Sequence, residues 1–587
     1  MNIEYLQGGL VIRGEHARAM HALLPTISRL VLYEGEQVCV MRHTPDTDRV
    51  LKNVGAVCDS AILRDPNWHW PGLHVPWEHQ RATASFMTVN DRGFVLNDPG
   101  TGKTGASIWA CEYLFRQEGG ATLIIAPLTT LRSVWVKELF TIAPGARVEV
   151  VQGDAAKREA ACKRQADYYV INHDGIKHSL KWLLKIGHIK RIIVDEATAF
   201  KNATSDRWKA LHQLVRTCRL WLMTGTPMSQ SPEDAYALVK LVSPHRVPAT
   251  FSGWSQQVML PVSKFVKVPR REAVGMVYDA MQPAIRFSKQ DCIDLPDVNY
   301  VDMDVQVTAE QSKMMDQLKA DFVAETKAGA VVAANAAVRM SKLLQVLQGA
   351  VRIDENTIAE VDAEPRLAAL VDICRQSDGK TITFVNYTAS IELVANRLRK
   401  EFGKEAVAVI NGDVTGFTRD AIITSFQAPG CVLRHLVAHP KTAAHGLTLT
   451  EANTTTWFGP VMSNEQYVQG NARTDRAGQK RKSTVYHLIG TPLEREIFTR
   501  LRSSLMNQTT LLALYEDEIT GVIQNVGLAS TASNNANATA SAAAGAVSAA
   551  TKRATAQANS NRAPRAGYRP GAQPFFTGRR GFPPTGR

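Results

Sequence analysis

Three clusters in this chain have the residue types and spacing for chemistry on a phosphate. The first is Asp98-Pro99-Gly100-Thr101-Gly102-Lys103-Thr104, where two glycines free backbone N–H groups to curl around an anion. Lys103 adds a cation for the outer phosphates, and Thr104 a hydroxyl oxygen for a hard divalent cation such as Mg²⁺. The second is Asp195-Glu196: one carboxylate to hold that metal through water, and a neighbour to orient and deprotonate an attacking water. The third runs from Gln469 to Gln479 and sets Arg473 three residues before Arg476, which on a continuing helix places both guanidinium groups on one face. Such a pair can stabilise the charge that develops on a transferred phosphoryl group. Taken singly these are a helix start, a solvated turn and a solvated helix face. In one chain they complete one another.

The elements that must position them are legible as well. Gly93-Phe94-Val95-Leu96 is a short apolar run leading into the glycine turn, and a helix follows from Lys103. Further apolar, often β-branched runs end at Ala126-Pro127, at Asn172-His173, at Asp195-Glu196 and at Thr224-Gly225-Thr226-Pro227. These read as parallel strands buried on both faces, with functional loops at their carboxyl ends. A helix opening at Pro76-Trp77 precedes the loop. Its Gln80 carries an amide that donates and accepts at once, suited to reading an adenine. Thr224 and Thr226 offer hydroxyls that couple the carboxylate loop to whatever lies across the cleft, where Gln469 and Gln479 bracket the arginines. A second α/β lobe begins near Gly379 with the strand Thr381–Val385 and a helix that Ser390 is expected to cap.

With 587 residues the chain is expected to make about three or four folded units. The divisions are a small N-terminal α/β accessory domain at 1–75, a first lobe at 76–243, a mainly helical linker at 244–378 and a second lobe at 379–527. Trp68 and Trp70, near the first boundary, read as packing residues. In the linker, Thr308 and Gln311 form a capping box, and Met340, Leu343, Leu344 and Leu347 make one apolar face. Residues 528–587, rich in Ala and Asn and then in Arg and Gly, cannot bury a core and are expected to be disordered. Eight of the +13 formal charges fall in that tail, so the folded body is only mildly basic and any groove for a polyanion is local. The eight cysteines are scattered and suggest neither zinc nor a disulfide framework. No secretory segment or membrane-length apolar run is seen, which predicts a soluble cytoplasmic protein.

Gln80, the loop 98–104, Ala126-Pro127-Leu128, Asp195-Glu196-Ala197-Thr198 and Leu222–Pro227 resemble, in order, the first-lobe motifs of superfamily-two helicases. Lys201-Asn202 resembles the Swi/Snf branch, and the Gln-x3-Arg-x2-Arg-x-Gly-Gln spacing of 469–479 is similar to its sixth motif in full. Ile285–Lys289 is similar to the bridge between lobes, and Thr442–Leu449 to the fifth motif, with Ala444 and His445 departing from it. Asn97 stands where the loop pattern has glycine, and Thr198 where the branch has histidine. Compact bacteriophage and prophage members are the most similar, which would place the protein in a host cytoplasm.

The resemblance implies two tandem RecA-like P-loop lobes of parallel sheet flanked by helices, with ATP and Mg²⁺ as cofactors. It also implies a DNA-stimulated ATPase that translocates on duplex DNA. Single-stranded DNA and RNA are the alternative substrates of a strand-separating helicase. An ATP-gated scaffold with little turnover is the reading from another class, and intact Lys103, Asp195, Glu196, Arg473 and Arg476 weigh against it. Backbone grips are expected at Pro127, Thr129, Asn172, His173, Asn386, Tyr387 and Thr442, tolerant of sequence and sensitive to salt. No chromatin-reading or nuclease motif is visible.

Overall fold

The computed structural model describes residues 1–503 other than 7, 57, 226–230, 263–266, 293–297, 328–332, 354–356, 444–448, 476–478 and 480. The expectations for Thr226, Arg476 and the tail 528–587 therefore lie outside the described residues.

The N-terminal strands β1 (Asn2–Leu6), β2 (Gly9–Arg13), β3 (Ser28–Tyr33) and β4 (Glu36–Arg42) form an antiparallel sheet in the order β1-β2-β4-β3. Its β3–β4 hairpin turns on Glu34 and Gly35 with φ of 51° and 79°, the left-handed pair that a tight hairpin turn demands. Trp68 and Trp70 meet Tyr113 and Trp109 edge-on, so both tryptophans pack this region onto the helix Lys103–Glu118.

The first lobe is built on β5 (Arg92–Val95), β6 (Ala121–Ala126), β7 (Val148–Val151), β8 (Tyr168–Asn172), β9 (Ile189–Val194) and β10 (Arg219–Met223). A hairpin of β11 (Met259–Pro261) and β12 (Lys267–Pro269) follows, and β13 (Ala284–Ile285) then returns to the sheet. All seven strands are parallel, in the order β13-β5-β10-β9-β6-β8-β7. The period of two along each strand divides its apolar residues between two cores. Leu123 and Ile125 enter one and Ile124 and Ala126 the other, which is why the run reads as continuously apolar.

The second lobe repeats the plan. It holds β14 (Val298–Asp304), a small hairpin of β15 (Ala350–Arg352) and β16 (Ile358–Glu360), then β17 (Lys380–Phe384), β18 (Val407–Ile410), β19 (His435–Ala438), β20 (Ala452–Trp457) and β21 (Ser483–Ile489). The parallel order is β14-β21-β20-β17-β19-β18. Met340, Leu343, Leu344 and Leu347 pack into its core with Ile382 and Phe384. The stretch 244–378, expected to be mainly helical, holds helices such as Phe251–Val258, Ala273–Ala280 and Glu364–Gln376, and it also gives β13 to the first sheet and β14 to the second. Both are edge strands, and two residues of β13 are too few to show a period. The helix after β17 starts at Thr388, ahead of the expected cap; Ser390 is buried within its first turn, and Tyr387 packs against the lobe's core.

A cleft of about 740 Å³ opens beside the N-terminal sheet, lined in part by Arg29, Arg42, Glu118 and Arg219 and by no residue of the phosphate loop.

Candidate nucleotide site at the lobe boundary

The turn after β5 has the expected form. Gly100 and Gly102 take φ of 89° and 77°, and a Cβ on Gly102 would lie 2.0 Å from Gln80 Nε2, so glycine is required there. Asn97, standing in for the loop's first glycine, is buried and does a different job. Its Nδ2 donates to Thr83 Oγ1 (2.9 Å) and its Oδ1 accepts the Phe287 N–H (3.1 Å). His79 Nε2 donates to the Thr101 carbonyl at 2.8 Å, so the helix Glu78–Val89 braces the loop at two points. Asp98 Oδ2 accepts the Lys289 N–H at 3.1 Å and so serves the bridge between lobes. Lys103 Nζ donates to the carbonyls of Asn97 (2.7 Å) and Asp98 (3.1 Å), folded across the turn. Thr104 follows it in the first turn of the helix.

Gln80 lies in the first turn of the helix that precedes the loop. Its Oε1 accepts the Trp77 N–H at 2.9 Å and closes the start of its own helix, leaving the amide nitrogen towards Gly102. Pro99 lies against Gly225, where a Cβ would meet its ring at 2.8 Å. Thr224 is buried, and its N–H donates to the Val95 carbonyl (3.1 Å).

In the sheet, Leu222 of β10 lies opposite both Phe94 of β5 and Val194 of β9, which brings the phosphate loop and the acids level at one edge. Trp135 Nε1 donates to Asp195 Oδ2 (3.0 Å) and the Glu196 N–H to Oδ1 (3.1 Å), so both oxygens of that carboxylate are oriented. Glu196 sits at φ 48°, ψ 56°, a left-handed conformation that costs a non-glycine residue about 1–3 kcal/mol. Burial, and after it the carboxylates of Asp195 and Glu465, push the Glu196 acid up to about 8, against the pull of Lys103 and Arg473. The lysine of the first lobe and the arginine of the second therefore act on one carboxyl group.

The second lobe reaches that group directly. Gln469, on the helix Asn464–Asn471, donates through Nε2 to Glu196 Oε2 at 3.1 Å and to Glu465 Oε1 at 3.2 Å. Glu465 also accepts the Thr198 hydroxyl at 2.9 Å. The helix ends at Asn471, whose carbonyl accepts the N–H groups of both Thr474 and Asp475 in a tight turn. Arg473 rides on that turn, buried, with Nε donating to the Gln469 carbonyl (3.0 Å). Gln479, expected to couple the lobes, donates to the carbonyls of Thr450, Ala452 and Thr474 and so ties the turn to its own sheet. Lys289 of the bridge pairs with Asp475 at 2.5 Å.

The expected backbone grips divide. Pro127, Thr129 and Thr442 lie just beyond strand ends, beside an exposed Leu128 in the first case, and Asn172 is the last residue of β8. His173 turns inward: its Nε2 donates to the Asp195 carbonyl (2.8 Å), its ring stands edge-on to Phe200, and burial pulls its pKa down, favouring the neutral form. Asn386 Nδ2 donates to the Pro460 carbonyl (2.5 Å), and burial pushes the Tyr387 phenol up to about 12. A polar residue directly after a buried strand is the nearest donor for carbonyls that water cannot reach. Trp135 and Glu465 were not legible as site residues. Glu465 reads in sequence as an acid at a helix start, a position that the helix dipole explains by itself.

A phosphate loop with paired acids, met by side chains from a second parallel-sheet lobe, defines a two-lobed P-loop ATP hydrolase. An SNF2-related domain matches residues 70–354 and a helicase conserved C-terminal domain residues 365–478, together more than half of the chain. The chain thus belongs to the Swi/Snf-like branch of the superfamily-two helicases. It is 27% identical to protein p41 of Acyrthosiphon pisum secondary endosymbiont phage 1, over 73% of this chain and 96% of that one. An ATP-dependent helicase of Mycoplasma genitalium is 24% identical over 68% of this chain, and the nuclear protein STH1/NPS1 of Saccharomyces cerevisiae 22% over 69%. The matches span 38% and 32% of those two longer relatives. The SWI2/SNF2 ATPase core of Sulfolobus solfataricus in complex with dsDNA matches 76% of this chain and 96% of that one, with 21% identity and a TM-score of 0.36. Among the described residues no helix is long and apolar enough to cross a membrane.

Proposed function

We propose that this chain is a DNA-dependent ATPase motor of the cytoplasm that hydrolyses ATP to translocate on duplex DNA and remodel what is paired or bound there. The observation that carries the reading is the Gln469–Glu196 hydrogen bond, which puts a second-lobe side chain on the first lobe's acid. In this reading the loop 98–104 and Lys103 hold the phosphates. Thr104 and Asp195 are hard oxygen ligands suited to Mg²⁺, and the two donors on Asp195 fix its carboxylate for that role. The metal, when bound, would neutralise charge on the phosphate oxygens. Glu196, with its raised affinity for a proton, takes one from the attacking water. Arg473, joined by Arg476, stabilises the charge that develops on the γ-phosphate. Hydrolysis then depends on lobe closure, and release of phosphate reopens the lobes. If each lobe holds the DNA backbone, the cycle becomes a step. The printed names of the relatives, an ATP-dependent helicase and an ATPase core with dsDNA, support DNA as the track.

ATPase rates with duplex DNA, single-stranded DNA, RNA and no nucleic acid, run beside Glu196→Gln, test this. Strong stimulation by duplex and silence of the variant are expected; equal rates with and without nucleic acid would end the motor reading. Triplex displacement without fork unwinding is the expected pattern for a translocase, and the reverse pattern would make the chain a strand-separating helicase.

A further inference from the structure

Thr198, at the position where related motifs carry histidine, is 7% exposed, and its hydroxyl crosses the lobe boundary to Glu465 Oε1 at 2.9 Å. The same carboxylate oxygen accepts from Gln469 Nε2 at 3.2 Å, and that nitrogen also donates to Glu196 Oε2 at 3.1 Å. An amide nitrogen has two hydrogens. Both are directed here at the acid side chains of Glu196 and Glu465, and this pair of contacts sets the orientation of the Gln469 amide. Without Glu465, the amide loses one of the two acceptors that orient its nitrogen, and its oxygen and nitrogen ends compete for the place beside Glu196. Burial raises the Glu465 pKa, and the hydrogen bond from Thr198 and the charge of Lys201, itself paired with Asp234 at 3.3 Å, oppose that rise.

We propose that Glu465 is a positioning residue: it fastens the second lobe to Thr198 and holds the nitrogen of Gln469 on Glu196. The inference rests on Glu196 being the acid that activates water.

The test measures ATP turnover of the full chain with saturating duplex DNA. Glu465→Ala and Thr198→Val should each lower kcat about tenfold, the scale of one lost hydrogen bond to a charged group, with KM for ATP within about twofold of the parent. Glu465→Gln keeps an accepting oxygen and Thr198→Ser keeps the hydroxyl, so both should recover most of the rate. A merely structural role would not produce that split or that rescue. The double variant Glu465→Ala/Thr198→Val should be no slower than Glu465→Ala alone, because the two groups act through one contact. Parental kcat in both single variants, with Glu196→Gln silent, would overturn the proposal. So would additive losses in the double variant. Turnover surviving in Glu196→Gln would instead remove the assignment beneath it, and the proposal with it.

Discussion

The turn after β5 and the turn after β17 occupy equivalent places, each leaving an interior strand of a parallel sheet and entering a helix. The first holds two glycines at positive φ and a lysine. The second, Val385-Asn386-Tyr387, has none at positive φ; Asn386 closes it onto Pro460 and Tyr387 fills the core. The same fold therefore yields an anion cradle in one lobe and a structural turn in the other. The difference lies in a handful of residues rather than in the architecture. What the second lobe brings to the site sits on a helix and its terminal turn: Glu465, Gln469 and Arg473. In the proposed function, one lobe binds nucleotide and the other completes its chemistry.

Substitutions in the two lobes should separate those functions. Arg473→Ala should lower kcat by about 10³-fold or more, the scale for a cation that meets the transferred phosphoryl group, while nucleotide still binds. Turnover and the binding of a fluorescent ATP analogue measure the two effects, and loss of binding together with turnover would erase the distinction between lobes. Glu196→Gln should cost about 10²–10⁴-fold, the range for a positioned general base. It too should bind nucleotide, since the loop and Lys103 are untouched.

The split between legible and illegible parts follows the same line. Strands β6, β9 and β10 announce themselves because they are buried on both faces, and the glycine turn because its backbone demands those residues. Edge strands β13 and β14, by contrast, pair on one side and carry weak patterns. Ser390 looks like a cap but is passed over, because Tyr387 has a core to fill and the helix starts ahead of it. The end of the helix at Asn471 depends on local hydrogen bonds that no period reveals. Glu465 could not be seen because its partners, Thr198 and Gln469, are brought to it by the meeting of two lobes.

Acid should weaken the second lobe through its buried histidines. His435, on β19 of the second lobe, accepts or donates at Nδ1 with the Thr381 hydroxyl at 2.9 Å, and burial lowers its pKa from 6.5 to about 4. The unfolded chain takes up a proton at this residue below 6.5, whereas the folded lobe refuses it until about 4. The associated stability is thus present above pH 6.5 and is lost as pH falls towards 4, by about 3 kcal/mol at most. Urea unfolding at pH 7 and at pH 5, followed in the parent and in His435→Leu, checks it. The variant should lose only part of the difference between the two pH values, because burial lowers the pKa of His487 on β21 to about 4 as well; an unchanged difference would assign the acid sensitivity to other groups.

The smallest expected effect concerns the bridge that joins the two turns. Lys289 is held at its backbone by Asp98 of the phosphate loop and at its side chain by Asp475, two residues past Arg473. The lysine side chain is 13% exposed and the aspartate 25%, so the pair is shielded enough to exceed a surface ion pair. Lys289→Ala leaves the Asp475 carboxylate half-buried and removes the ion pair that ties the arginine turn to the bridge, while Gln479 still ties that turn to its own sheet. A loss in kcat of about threefold to tenfold is expected, as for one charge-assisted contact, with little change in KM for ATP. The exchange Lys289→Asp/Asp475→Lys should recover part of the rate, because the attraction is restored while the backbone bond to Asp98 is kept. Full activity in Lys289→Ala would make the bridge a passive connection, and each lobe would then set its own part of the site without reference to the other.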